Sequence, residues 1–252
     1  MGTGPHAGGG IAGPVYDARV TGALRRRVGE VILGLAAALV IVAGSIVPFL
    51  NPIWVGFEQE RSQAAAWTGY SPDRLRVATD AILSDLVLGP PTFDVLVDGQ
   101  PVLNERERGH MADVRGVFSG FAVMALAGLV VLIGSWFLAR RATPETFWRV
   151  IRTATAALAA GVLMVGAIGL FAFDLAFDVF HRLFFAGGTY TFDPRTDRLV
   201  QLFPETFWLE TSLAVGVVIL VVCGLGWWLA GRRMGVGAPR PIELGGAAEA
   251  RG

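Results

Sequence analysis

Four stretches of the chain stay apolar for long enough to cross a bilayer, running approximately from Val28 to Leu50, Val117 to Leu138, Val150 to Phe173 and Leu209 to Ala230. A hydrocarbon core about 30 Å thick needs roughly 20 apolar residues of helix, and all four stretches reach that length. No Asp, Glu, Arg or His stands at the middle of any of them. That disfavours transport, because pumps and ion pathways place such groups inside the bilayer. The first stretch is longer than the apolar region of a signal peptide and no A-x-A site follows it, so it reads as a retained anchor.

The segments between these spans carry folding signals of their own. Residues 51–115 are too many for a mere connector. Ser71-Pro72-Asp73 supplies an N-cap, a proline in the first turn and an acidic residue beside it; Leu75, Ala78, Ile82 and Leu86 then share one helical face until Gly89-Pro90 ends it. Phe93, Val95 and Val97 alternate with polar neighbours up to Asp98-Gly99, a favoured two-residue hairpin turn, and Pro101-Val102-Leu103 continues beyond it. In the other long segment, Thr189-Tyr190-Thr191-Phe192 and Leu199-Val200-Gln201-Leu202 flank a turn at 193–197 and predict a second hairpin. Isolated hairpins are marginal in water, so the two are expected to pair into one small sheet over the helix ends. The expected fold is membrane α-helical: a four-transmembrane-helix bundle over residues 25–234, with a small external α+β cap built from two hairpins at about 51–115 and 174–208. The Gly- and Pro-rich tails at 1–24 and 235–252 are expected to be disordered in the cytoplasm.

Composition supports the membrane class, with 53% hydrophobic residues and a mean hydropathy of +0.55. Basic and acidic residues both number 21, which removes any electrostatic argument for binding nucleic acid. The placement of charge sets direction. Arg25, Arg26 and Arg27 precede the first span, Arg140, Arg141, Arg149 and Arg152 join the second and third, and Arg232 and Arg233 follow the fourth. These clusters share one side, which predicts a cytoplasmic face holding both termini. Trp residues near span ends read as interfacial anchors. The lone Cys223 lies inside an apolar run and reads as a packing residue, and no internal disulfide is possible.

Candidate chemistry gathers on the opposite side. His6 lies in the tail, leaving His110 just before the second span and His181 just after the third. A helical period places Glu107, His110 and Asp113 along one side, and Asp174, Asp178 and His181 in a similar stack. The short inner connection between the second and third spans makes them neighbours, so the two stacks are expected to face one another, each imidazole titrating near neutrality. The alternative is that these groups only cap helices or bind lipid headgroups. Asp193 and Asp197 read as turn residues, and Phe180, Phe184 and Phe185 as packing or lipid contacts. Glu107, His110, Asp113, Asp178 and His181 have side chains that suit zinc or iron, but no HExxH or comparable spacing is present. A serine hydrolase lacks its G-x-S-x-G. Acid and base catalysis at a lipid surface remains.

The run Leu103-Asn104-Glu105-Arg106-Glu107 with His110-Met111 and Asp113-Val114, then Phe180-His181 with Leu183-Phe184-Phe185, Phe192-Asp193-Pro194, Asp197, Leu199 and Leu202-Phe203-Pro204, resembles the bacterial lipoprotein intramolecular transacylase family, Lit. The four-span layout extends the likeness from about Val28 to Arg233; the long Gly-rich N-terminus and Ala186-Gly187-Gly188 depart from it. The resemblance implies an enzyme of the bacterial plasma membrane. It moves the sn-2 acyl chain of a diacylglyceryl-modified lipoprotein onto the amino group of that lipoprotein's N-terminal cysteine, at the external face. Its partners are such lipoproteins and membrane lipids, with no nucleic acid. It implies no cofactor and no metal. His110 and His181 are the expected catalytic pair, one taking the amine proton while the other protonates the departing glyceryl oxygen. Glu105, Glu107 or Asp178 is expected to orient a ring, Arg106 or Arg182 to stabilise the oxyanion, and Asp113 to support the pair. Two other readings stay open: a noncatalytic membrane protein that binds a partner or lipid through its cap, and a metal-dependent lipid hydrolase.

Overall fold

In a computed structural model, the described residues are 14–185 and 189–235. The helices long and apolar enough to span a membrane are α1 (Pro14–Ile46), α5 (Glu105–Ala142), α6 (Pro144–Phe171) and α9 (Glu205–Arg233). Between α1 and α5 lie α2 (Pro52–Arg61), α3 (Ala64–Thr68), α4 (Pro72–Val87) and the strands β1 (Leu96–Val97) and β2 (Gln100–Pro101); between α6 and α9 lie α7 (Phe173–Phe184) and α8 (Arg198–Leu202).

The bundle packs mainly as two pairs, α1 with α5 and α6 with α9, with smaller contacts of α1 on α6 and of α5 on α6. Small residues set how closely each pair approaches. A Cβ on Gly128 of α5 would stand 3.2 Å from the Ala36 carbonyl oxygen of α1, and one on Gly226 of α9 would stand 3.1 Å from the Thr155 side chain of α6. Membrane helices associate largely through such close contact, because lipid offers no hydrophobic drive between them. At the arginine-rich end, guanidinium groups lie over aromatic rings, Arg152 over Trp227 at 4.4 Å and Arg232 over Trp228 at 4.9 Å. Such contacts suit the end of a bundle where amphipathic indoles and arginines meet.

At 38 residues, α5 is about twice as long as a hydrocarbon core requires. Its first eleven residues include Glu105, Arg106, Glu107, Arg108, His110, Asp113 and Arg115. That charge density belongs outside the apolar span, which begins near Val117. Asn104 caps the helix: its side chain accepts from the Glu107 N–H at 3.0 Å while Glu107 accepts from the Asn104 N–H at 2.7 Å.

This projecting turn is embedded in a small core of its own. Ile82 and Ala78 from α4, Phe93, Val102 and Leu103 from the hairpin region, and Leu202 before α9 are all buried there together. Polar ties fix the margins. Trp54 Nε1 donates to Thr211 Oγ1 at 3.2 Å, Arg61 grips Glu210 at 2.5 and 2.9 Å, and Arg115 donates to the carbonyls of Asp85 and Gly89 at the end of α4.

The predicted helix at Ser71-Pro72-Asp73 and the predicted hairpin are both present; Leu96 pairs with Pro101, Val97 with Gln100, and Asp98 and Gly99 both have positive φ, as that turn demands. The second hairpin is not. Residues 189–192 form no strand, 198–202 are the helix α8, and the sheet has two strands only among the described residues. Leu199, Gln201 and Leu202 all point inward, a burial pattern that a half-buried strand cannot provide and a helical turn can. Helix α1 starts at Pro14, so residues 14–24 are helical instead of tail. The rest of the expected tails, 1–13 and 236–252, lies outside the described residues.

Ile82, at 1% exposure, sits in the middle of the cap core, whereas Ile53 is 85% exposed. Ile82→Ala is expected to cost about 2–5 kcal/mol and Ile53→Ala close to nothing, a contrast read from thermal unfolding of the detergent-solubilised protein.

Candidate active site

The two predicted histidines arrive from different elements. His110 lies in the second turn of α5, one turn beyond the capping box. His181 is carried by α7, which begins after the helical run breaks at Ala172, whose φ of −148° and ψ of 53° end α6. The rings stack with centroids 6.1 Å apart and planes 26° from parallel. Both residues are buried, at 6% and 8% exposure.

Aromatic rings enclose the pair. Phe185 and Phe192 meet His110 edge-on at 4.9 and 5.4 Å; Phe177 lies 4.0 Å and Tyr190 5.1 Å from His181. Burial and the neighbouring His181 pull the His110 imidazole down to about 4, against a smaller upward pull from Asp113. Burial lowers His181 as well, opposed by the Phe177 carbonyl and Asp178. Both rings are therefore neutral at pH 7, where the sequence suggested titration near neutrality.

The ring nitrogens have distinct surroundings. His181 Nδ1 is 2.7 Å from the Phe177 carbonyl oxygen, which can only accept. Nδ1 therefore carries the proton and Nε2 keeps its lone pair. His110 Nδ1 is buried with no hydrogen-bond partner among the described residues.

The supporting residues divide into three groups. Glu107 is 1% exposed and braces backbone: besides its bond to Asn104, its Oε1 accepts from the Leu199 N–H at 2.6 Å. Burial raises its carboxyl, with the two N–H donors working against that. Arg106 ion-pairs with Asp197 at 2.6 Å and lies 4.9 Å over the Phe192 ring. Asp178 ties to Arg182 at 2.7 Å and accepts from the Tyr190 hydroxyl at 3.3 Å. Glu105 and Asp113 are exposed, Asp113 in a groove beside His110. Among the described residues no carboxylate bonds either ring; the backbone carbonyl of Phe177 orients His181 instead. No three of His, Cys, Asp or Glu are placed to hold a metal ion among the described residues.

Tyr190 and Phe192 border the histidine pair and Asp197 holds Arg106, although the sequence pattern assigned Tyr190 and Phe192 only to a hairpin strand and Asp197 only to a turn. Asp197 is buried and receives Asn104, Arg106 and the Asp193 N–H together. Its signal was present in part, because the Asp193–Asp197 turn was legible while its partners about 90 residues away were not.

The family model described as lipoprotein intramolecular transacylase Lit matches residues 31–208. The chain belongs to this family. Solved structures agree on the fold. A Lit structure from Bacillus cereus superposes with a TM-score of 0.70 at 18% identity, covering 84% of this chain and 97% of its own. Two forms of the Bacillus cereus protein with one histidine replaced, by arginine or by alanine, each give 0.71 at 16% identity over 87% of this chain. They cover 96% and 97% of their own chains. Comparison with curated protein sequences gives no match. The Lit likeness thus spans every element of the site.

Neutral imidazoles in the fold carry a stability consequence. Between pH about 6.5 and about 4 the unfolded chain binds protons that His110 in the fold refuses, so unfolding becomes easier as pH drops through that window. The melting temperature is expected to fall from pH 6.5 to 4, and His110→Gln to flatten that slope relative to wild type.

Proposed function

We propose that this Lit family member transfers the sn-2 acyl chain of a diacylglyceryl-modified lipoprotein to the amino group of its N-terminal cysteine, using His110 and His181. The reading rests above all on two neutral imidazoles stacked 6.1 Å apart at the end of a membrane bundle, one of them with a buried, unpartnered nitrogen. Such nitrogens suit proton transfer to and from an uncharged amine and ester. In the proposed reaction the amine nitrogen attacks the ester carbonyl carbon and loses its proton to His181 Nε2. The tetrahedral centre then collapses, the C–O bond to glycerol breaks, and the imidazole pair returns one proton to the glyceryl oxygen. One N–H is exchanged for one O–H, and no acyl-enzyme forms. Positioned proton transfer supplies about 3–5 kcal/mol and holding amine and ester together about 7–11.

The positive-inside rule supports an orientation with the arginine-rich end at the cytoplasm and the histidine end at the external leaflet. That orientation gives the site access to lipid-anchored substrates.

The test is mass spectrometry of lipoprotein N-termini from cells with and without the protein. Cells that contain it are expected to carry N-acyl, S-monoacylglyceryl cysteine. His110→Ala and His181→Ala are each expected to lower that product by about a hundredfold or more at undiminished protein level. Unchanged lipoproteins in the presence of the wild-type chain overturn the reading.

A further inference from the structure

Below the imidazole pair, toward the apolar span, α5 and the end of α7 leave a groove of about 480 Å³ lined by Ala112, Asp113, Gly116, Val117, Phe184 and Phe185. That volume falls within the roughly 300–1,000 Å³ range of small-ligand sites. We propose that this groove seats the modified N-terminus of the substrate, Asp113 receiving the α-amino group and the apolar floor receiving the acyl chain beside it. The proposal rests on the transacylase reading and names its substrate subsite.

Several observations point to that occupant. The groove adjoins the histidine pair across Phe185, which forms its wall and meets the His110 ring at 4.9 Å. Its lining holds one charged side chain, Asp113. Two other acids of the site, Asp178 and Asp197, are held by Arg182 and Arg106, whereas Asp113 makes no ion pair among the described residues. An exposed, unpaired carboxylate three residues after His110 on the same helix face can accept from an amine N–H, and the substrate class brings one amine.

The floor fits a hydrocarbon chain. Ala112 and Gly116 stand four residues apart and leave the helix surface bare, and a Cβ on Gly116 would meet nothing within 4 Å. The α5 lining of the groove runs from Asp113 in the polar turn to Val117, the first residue of the apolar span, so a chain lying along it would pass from polar to apolar helix surface.

The chemistry gives Asp113 a defined task. As the amine nitrogen bonds to the ester carbonyl carbon it becomes positively charged, until its proton leaves for the imidazole pair. A carboxylate beside that nitrogen favours the charged intermediate over the starting amine and ester. Asp113 is in this scheme a binding and positioning residue.

The test uses the full chain in proteoliposomes, a synthetic diacylglyceryl lipopeptide as substrate, and two dialkyl-ether analogues as inhibitors, one with a free amine and one N-acetylated. Wild type is expected to bind the free-amine analogue at least about tenfold more tightly, as a charge-assisted contact warrants. Asp113→Asn is expected to erase that ratio and Asp113→Glu to keep part of it. Gly116→Leu is expected to shift preference from palmitoyl toward octanoyl substrates. A purely structural defect would weaken both analogues alike and leave their ratio untouched. Wild type that converts the lipopeptide while Asp113→Asn keeps the ratio, or while Gly116→Leu keeps the chain-length profile, overturns the groove assignment alone. Wild type that leaves the lipopeptide unconverted overturns the assignment together with the reading it rests on.

Discussion

A carboxylate almost fully removed from solvent survives in a fold only when its oxygens find donors, and Glu107 finds them in two segments far apart in the chain. One oxygen closes the capping box with Asn104; the other takes the Leu199 N–H, 92 residues further on. Asn104 reaches onward to Asp197, which also gathers Arg106 and the Asp193 backbone. The first turn of α5 and the 193–199 segment are thereby locked together. His110 stands one turn along the same helix, and Tyr190 and Phe192 lie immediately before the locked segment, so the walls of the site take their positions from this brace. The desolvation that raises the Glu107 carboxyl is the cost of the lock, offset by the donors.

The membrane bundle contributes differently. Its extensive packings, α1 on α5 and α6 on α9, contain no catalytic candidate, and their small residues at Gly128 and Gly226 let backbones approach closely. The decisive local event is the break at Ala172. Had α6 continued straight, His181 would stand on a helix directed away from the site end of α5. Instead α7 sets off anew, stacks Phe173, Phe177 and His181 along one face, and delivers the second ring to the first. The apolar frame thus carries a short helix whose aromatic face ends in the imidazole.

The sequence made the spans legible because hydrocarbon thickness leaves no alternative to about 20 apolar residues of helix. It showed α4 and the hairpin because Ser71-Pro72-Asp73 and Asp98-Gly99 encode their structure within a few residues. A cap residue followed by proline, as at Ser71-Pro72, also starts α2 at Asn51-Pro52, with Asn51 accepting from the Ile53 and Trp54 N–H groups, and could have been read equally well. The segment around 198–202 misled because a short, mostly apolar run such as Leu199-Val200-Gln201-Leu202 fits a strand or one helical turn, and tertiary burial chose the turn. The histidine pair was legible as two residues at the same end of the bundle. What oriented them was not, since the Phe177 carbonyl is backbone and carries no sequence signature. The functions expected of Glu107 and Asp178 beside the rings went instead to Glu107 as a brace and to Asp178 as the partner of Arg182 and Tyr190.

A site that moves an acyl group within one substrate has a competitor in water, present at far higher concentration than any amine. The substrate's own tether answers part of this, because a linked amine can act at an effective molarity well beyond that of the solvent. The protein's share under the proposed chemistry is to keep that advantage from being lost. Phe177, Phe185, Phe192 and Tyr190 crowd the imidazoles and leave little room for a hydrogen-bonded water chain, and the same burial keeps both rings uncharged and able to accept a proton. A more polar or more open pocket would raise basicity and admit hydrolysis together. Under the proposed chemistry the scarcity of polar groups around two neutral histidines exchanges basicity for protection: the aromatic enclosure that keeps water away also weakens each ring as a base, and the proton it accepts comes from a nitrogen already made acidic by bonding to the carbonyl carbon.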